Sequence, residues 1–230
     1  AWNGKWSGAA AWGGELFCAP FNSDVVLVVD CHLGSTRTIA TPALAEGHPE
    51  DYKWAGVVAL GEYLYCAPHN ASGVLVIDPA NGQTHTIETG RSGAGKWHGI
   101  ASCGGKLYCA PFNSDDVLVI DPEAETLECI PTGKHGDWKW AGITELDGFL
   151  YCAPHDADDV LVVDPVRRAT WTIATGRTGV WKWSGIAACG GSLFCAPCCA
   201  DDILVVQPSK GRTAGMPSGH GGGHKWAGIA

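Results

Sequence analysis

The sequence predicts an all-β protein, a β-propeller of five blades with four antiparallel strands each, and three observations carry that prediction. The dipeptide Lys-Trp recurs at Lys5-Trp6, Lys53-Trp54, Lys96-Trp97, Lys139-Trp140, Lys182-Trp183 and Lys225-Trp226, first after 48 residues and then every 43. Two residues after each Trp stands a glycine: Gly8, Gly56, Gly99, Gly142, Gly185 and Gly228. Each complete copy then carries Cys-Ala-Pro, at Cys18, Cys66, Cys109, Cys152 and Cys195, followed by an aliphatic run ending in Asp or Gln. A fixed period of this length is the signature of stacked repeats, because one small sheet cannot bury both of its faces alone.

The third copy shows how each element follows from its residues. Trp97 to Cys103 reads as strand A, and Gly104-Gly105 as a two-residue hairpin turn in which glycine supplies the positive φ. Lys106 to Ala110 is strand B, and Pro111, with no N–H to donate, stops the ladder. A polar loop, Phe112 to Asp116, leads to strand C, Val117 to Asp121, whose unbroken aliphatic run suits burial on both faces. Pro122 opens a turn, Thr126 to Ile130 forms strand D, and Thr132-Gly133 begins the link onward. The repeats run 5–52, 53–95, 96–138, 139–181 and 182–224, with a partial sixth strand over 225–230, all in one domain spanning 1–230. In the fifth copy strand D is degenerate around Gly211 to Met216. Five complete copies predict five blades; the alternative is part of a six- or seven-bladed ring.

Composition narrows the function. The formal charge is −9 and no Lys/Arg cluster interrupts it, which argues against nucleic acid as a partner. The longest aliphatic run, Val25 to Val29, is far too short to span a bilayer. A soluble chain is expected, its compartment open. Ala1 comes first and the only methionine is Met216, so the start is expected to be processed or truncated. Eleven cysteines are many, but an odd number cannot all pair within one chain. The Cys-Ala-Pro thiols are expected to be buried and free.

The string Gly-Lys-Leu-Tyr-Cys-Ala-Pro, then Asp-Asp-Val-Leu-Val-Ile-Asp-Pro, then Ile-Pro-Thr-Gly resembles the YVTN-type propeller repeat over roughly residues 5 to 207. It departs from that repeat in the Lys-Trp-x-Gly opening and in Cys-Ala-Pro. The opening is similar to arrays in uncharacterised propeller-like proteins of algal protists. Five-bladed tachylectin lectins are similar in size and also finish on a solitary strand. The resemblance implies the fold and leaves the function to particular residues.

In an A-B-C-D meander the B–C loops and D–A links emerge on one face. That face is expected to carry Lys53, Lys96, Lys139 and Lys182 beside the loop residues His69, Asp115, His155 and Asp158, with His98 breaking the Lys-Trp-x-Gly series. Convergent lysines would favour a small anion; their plainer reading is rim charge paired with aspartate. The repeat tryptophans read as wedges between blades, and as sugar platforms only if exposed. No metal and no cofactor is expected. The acidic loops lack EF-hand spacing, and Cys195-x-x-Cys198-Cys199 has no second Cys/His pair nearby, with His220 and His224 too far along the chain to complete it. No Gly-x-Ser-x-Gly elbow, Walker loop or His-Glu-x-x-His appears, so no catalytic residue is assigned. The leading expectation is a non-catalytic binding or scaffolding propeller for a protein partner or anionic ligand. The alternatives are a lectin-like multivalent sugar binder and an enzyme of lactonase or lyase type. Exposed tryptophans would favour the lectin, a metal or an ordered His98 pair the enzyme, and a contiguous face the scaffold.

Overall fold

A computed structural model describes residues 4–43 and 51–229. It contains five four-stranded antiparallel sheets, each in simple sequential order. Blade 1 comprises β1 (Trp6–Trp12), β2 (Glu15–Pro20), β3 (Val25–Asp30) and β4 (Ser35–Ala40). Blade 2 comprises β5 (Trp54–Leu60), β6 (Tyr63–Pro68), β7 (Gly73–Asp78) and β8 (Gln83–Glu88). Blade 3 holds β9 (Trp97–Cys103), β10 (Lys106–Pro111), β11 (Asp116–Asp121) and β12 (Thr126–Pro131). Blade 4 holds β13 (Trp140–Leu146), β14 (Phe149–Pro154), β15 (Asp159–Asp164) and β16 (Ala169–Ala174). Blade 5 holds β17 (Trp183–Cys189), β18 (Ser192–Pro197), β19 (Asp202–Gln207) and β20 (Arg212–Pro217).

The strands of the third copy follow their expected bounds within one residue. Both glycines of its hairpin have positive φ, 57° and 77°, as a tight primed turn requires. Two details differ from the sequence expectation. Pro111 closes its strand instead of standing outside it, because a register shift lets it face Trp97 at the edge of the ladder. Strand D of the fifth copy is complete: a single 3₁₀ turn, Pro208–Lys210, absorbs the irregular sequence and β20 then pairs with β19 along its length.

The first strand of each blade is innermost, where β1, β5, β9, β13 and β17 meet in chain order. The repeat glycines make this possible. A Cβ on Gly99 would stand 2.7 Å from the Ala141 oxygen, and one on Gly142 would stand 2.7 Å from that of Ser184. Only an absent side chain permits that approach. Among the described residues no contact of comparable extent joins β17 to β1. The segment 225–229 lies beside the fifth blade, where a Cβ on Gly185 would meet the Gly228 Cα at 2.9 Å.

The apolar core lies between blades. Four clusters of buried side chains each draw on two adjacent blades, such as Val74 and Val76 with Leu107, Leu118 and Ile120 between the second and third. Trp54, Trp97, Trp140 and Trp183 are the largest fully buried side chains. Each indole N–H reaches the carbonyl nineteen residues on, at 2.8 Å: Gly73, Asp116, Asp159 and Asp202 respectively. The wedge reading holds for these four, whose buried indoles leave no face for a sugar, whereas Trp6 is half-buried and Trp226 is 40 % exposed.

Candidate functional site

Each B–C loop is tied to the D–A link that follows it, and the repeat dictates how. The second loop residue accepts a hydrogen bond from the backbone N–H of the residue before the next Lys. Asn22 takes that of Tyr52 at 2.8 Å, Asn70 that of Gly95 at 2.7 Å, Asn113 that of Trp138 at 2.8 Å and Asp156 that of Trp181 at 2.7 Å. The residue before Lys is left-handed every time, with φ of 57° at Tyr52, 64° at Gly95, 57° at Trp138 and 56° at Trp181. A bulky side chain with positive φ is costly, and the captured N–H offsets part of that cost.

The lysines complete the same junctions. Lys53, Lys96, Lys139 and Lys182 are buried, 3–5 % exposed. The Lys96 ammonium donates to the carbonyls of His69, Ala71 and Gly93 at 3.2, 2.9 and 3.1 Å. Lys139 donates to Phe112 and Gly136, Lys182 to Asp156 and Gly179, and Lys53 to Asp24 at 2.6 Å. Burial lowers Lys96 to about 8, and it also lowers Lys139, against the opposing charges of Asp115 and Asp137, and Lys182, against those of Asp158 and Asp156. These ammoniums are spent inside the junctions and are not displayed to a ligand, which removes the basis for a lysine-lined anion site. Asp115 and Asp158 lie outside, half or more exposed. Asp115 is 2.8 Å from His135 Nδ1 and Asp158 only 3.8 Å from Lys182. Asp158 also lines a polar groove of about 290 Å³ with Lys134, His135 and Asp156.

The structure does bring together the histidines, and it adds aromatic residues that sequence reasoning set aside. The first loop residues of blades 1 to 4, Phe21, His69, Phe112 and His155, form a chain of rings with His98 of β9. Centroids lie 5.5 Å apart for Phe21 and His69, 5.7 Å for His69 and His98, 5.3 Å for His98 and Phe112, and 5.3 Å for Phe112 and His155. Tyr52 flanks Phe21 at 4.8 Å, and Trp181 flanks His155 at 6.0 Å. The period places equivalent loop residues side by side, so the signal for this chain was present in the repeat register.

Its charge state follows from crowding. Burial lowers His69 to about 4 and His98 to about 3, and each neighbouring imidazole further disfavours a proton on His98. His155 is lowered too, mainly by burial, although Asp156 opposes the shift. Its Nδ1 lies 2.8 Å from Asp156 Oδ1 but is poorly aligned for a hydrogen bond. At neutral pH the cluster is therefore an uncharged band of Phe and imidazole rings, with His69 buried and Phe21, His98, Phe112 and His155 half-buried.

No protein-family model and no curated protein matches the chain. Solved structures do. A streptogramin B lyase structure aligns at TM-score 0.79 and 12 % identity, over 93 % of this chain and 68 % of that one. Selenomethionine-substituted virginiamycin B lyase from Staphylococcus aureus aligns at TM-score 0.77 and 11 % identity, over 93 % and 70 %. The nidogen/laminin complex contains a chain that aligns at TM-score 0.67 and 13 % identity, over 90 % and 78 %. At such identities the likeness is one of fold. Five sheets of one repeated pattern, wedged by buried tryptophans and matched to these structures, make the chain a β-propeller of tandem repeats.

Proposed function

We propose that this chain is a non-catalytic binding propeller whose loop face receives a protein partner, with the chain of Phe21, His69, His98, Phe112 and His155 taking an aromatic or apolar side chain of that partner. The observation that carries this reading is the contiguity of those rings across blades 1 to 4. The nidogen/laminin complex, a propeller-containing assembly of two proteins, supports the class of function without identifying the partner. Buried repeat tryptophans count against one sugar site per blade, and buried lysines against an anion site.

Panning a random-peptide display library on the intact chain tests the proposal. Enriched peptides are expected to share an aromatic anchor, and a Phe112→Ala, His98→Ala double variant is expected to lose at least about tenfold in affinity for them, as loss of a buried anchor does. Enrichment of acidic peptides without aromatic residues, or equal binding by the variant, would remove the reading.

A lyase-type enzyme is the second reading, favoured by the contact between His98 and His69 and by the two lyases among the similar structures. A base whose conjugate acid titrates near 3 is poorly matched to proton abstraction at neutral pH, and that places it second. Chromatographic loss of a streptogramin B on incubation with the chain, abolished by His98→Ala, would reverse the order.

A further inference from the structure

We propose that Cys198, Cys199 and His224 form a metal site of the zinc type at the last junction of the propeller. The donor atoms of the three side chains lie within 4.8 Å of one another. A tetrahedral zinc ion, with Zn–S of about 2.3 Å and Zn–N of about 2.0–2.1 Å, holds such donors roughly 3.5–3.8 Å apart. Small side-chain rotations close that difference.

The site is assembled by the backbone. The N–H of Cys198 donates to the Lys182 carbonyl at 2.9 Å, and that of Cys199 to the Trp181 carbonyl at 2.8 Å. From the other side the Lys225 N–H donates to the Cys198 carbonyl at 2.9 Å. His224 is left-handed, with φ of 54°, and its ring rests edge-on against Trp181 at 4.7 Å. The two segments are thus fixed against each other before any ion arrives. Both thiols are half-buried and the imidazole is exposed, so an ion has a path in and water has access to a fourth position.

Comparison with the other four junctions sharpens the point. The first loop residue is Phe or His there, the second is Asn or Asp, and the residue before Lys is Tyr, Gly or Trp. At the fifth junction all three positions change together, to Cys, Cys and His. Asn70 and Gly95, Asn113 and Trp138, and Asp156 and Trp181 are hydrogen-bonded partners 25 residues apart, which is also the separation of Cys199 and His224. The loop-to-link tie made elsewhere by a carbonyl or carboxylate oxygen is made here by the Cys198 sulfur, which accepts from the His224 backbone, and the two sulfurs lie close to the imidazole. That donor set selects thiophilic ions such as Zn²⁺ and is poorly suited to Ca²⁺ or Mg²⁺.

The test is titration of the reduced full chain with Co²⁺, a coloured stand-in for zinc, followed by displacement with Zn²⁺. One equivalent is expected to produce thiolate-to-cobalt charge transfer and tetrahedral ligand-field bands, both bleached by zinc. Cys199→Asn and His224→Trp restore residues found at the other junctions, so both are expected to fold. Both should lose the bands and bind zinc more than about a hundredfold more weakly, beyond the usual cost of losing an outer-shell partner. His220→Ala, outside the cluster, should behave as wild type. Charge transfer that survives in folded Cys199→Asn would place the metal on other thiols and overturn the proposal. So would no charge transfer at all, or bands that survive His224→Trp.

Discussion

Blades 1 and 3 are written in nearly the same residues and live in different surroundings. In β11 the four residues Val117 to Ile120 are all buried. In β3, with an equally apolar Val-Val-Leu-Val-Val, burial alternates, with Val26 and Val28 enclosed and Val25, Leu27 and Val29 only half-covered. Trp97 is 1 % exposed, whereas Trp6 is half-buried; Cys109 is fully enclosed, whereas Cys18, expected to be buried like its counterparts, is half-open. The inner strand β1 repeats the contrast with β9, its alanines partly or largely exposed. Blade 5 resembles blade 1 in this respect, since β19 also alternates. Burial of a repeat residue is thus a property of the junction between two blades, and a blade covered on one side realises only part of what its sequence encodes.

The largest expected effect tests that comparison directly. Trp97→Ala removes a full wedge and its hydrogen bond and should cost about 3–5 kcal/mol in chemical denaturation. Trp6→Ala should cost well under half as much. Equal losses would mean that the wedge stabilises its own blade and not the junction. At the axis, Gly142→Ala drives a methyl to 2.7 Å from the Ser184 carbonyl oxygen and should cost about 1–3 kcal/mol. Gly228→Ala, with open space around it, should cost close to nothing. A cost at Gly228 as large as at Gly142 would mean that something covers residues 225–229 in solution.

The smallest effect concerns pH. His69 is held at about 4 against an ordinary 6.5, so between those values the unfolded chain binds more protons than the folded one. The stability contributed by a neutral His69 is therefore complete above about 6.5 and is lost as the pH falls toward 4. His69→Phe, which installs the residue found at Phe21 and Phe112, should flatten the midpoint-against-pH curve in that window. Parallel curves for wild type and variant would show that His69 titrates normally in the fold.

Much of the fold was legible because it is periodic. Gly-Gly turns, Cys-Ala-Pro strand ends and aliphatic third strands fix four strands per copy, and Trp at a constant position announces a wedge. The fifth D strand was misread because Gly211 and Gly215 weaken its pattern, while pairing with β19 needs only backbone groups. The site was less legible, for a physical reason. The sign of a lysine is visible in sequence, but whether its ammonium faces a ligand or three carbonyl oxygens depends on a loop from another copy. Cys199 and His224 were dismissed on chain distance, although a 43-residue period converts a separation of 25 into contact at every junction but the first.

The ties across each junction also bear on how the chain is made. The Phe21 carbonyl is capped by the Lys53 N–H, that of His69 by Lys96, that of Phe112 by Lys139 and that of His155 by Lys182. The loop of one copy is closed only by the opening residues of the next. During vectorial synthesis, then, a blade whose four strands have already emerged stays unlatched until the following Lys-Trp leaves the ribosome. Assembly proceeds one latch behind the growing end, and a ribosome pausing just before a Lys-Trp leaves exposed the apolar face that the next wedge would have sealed.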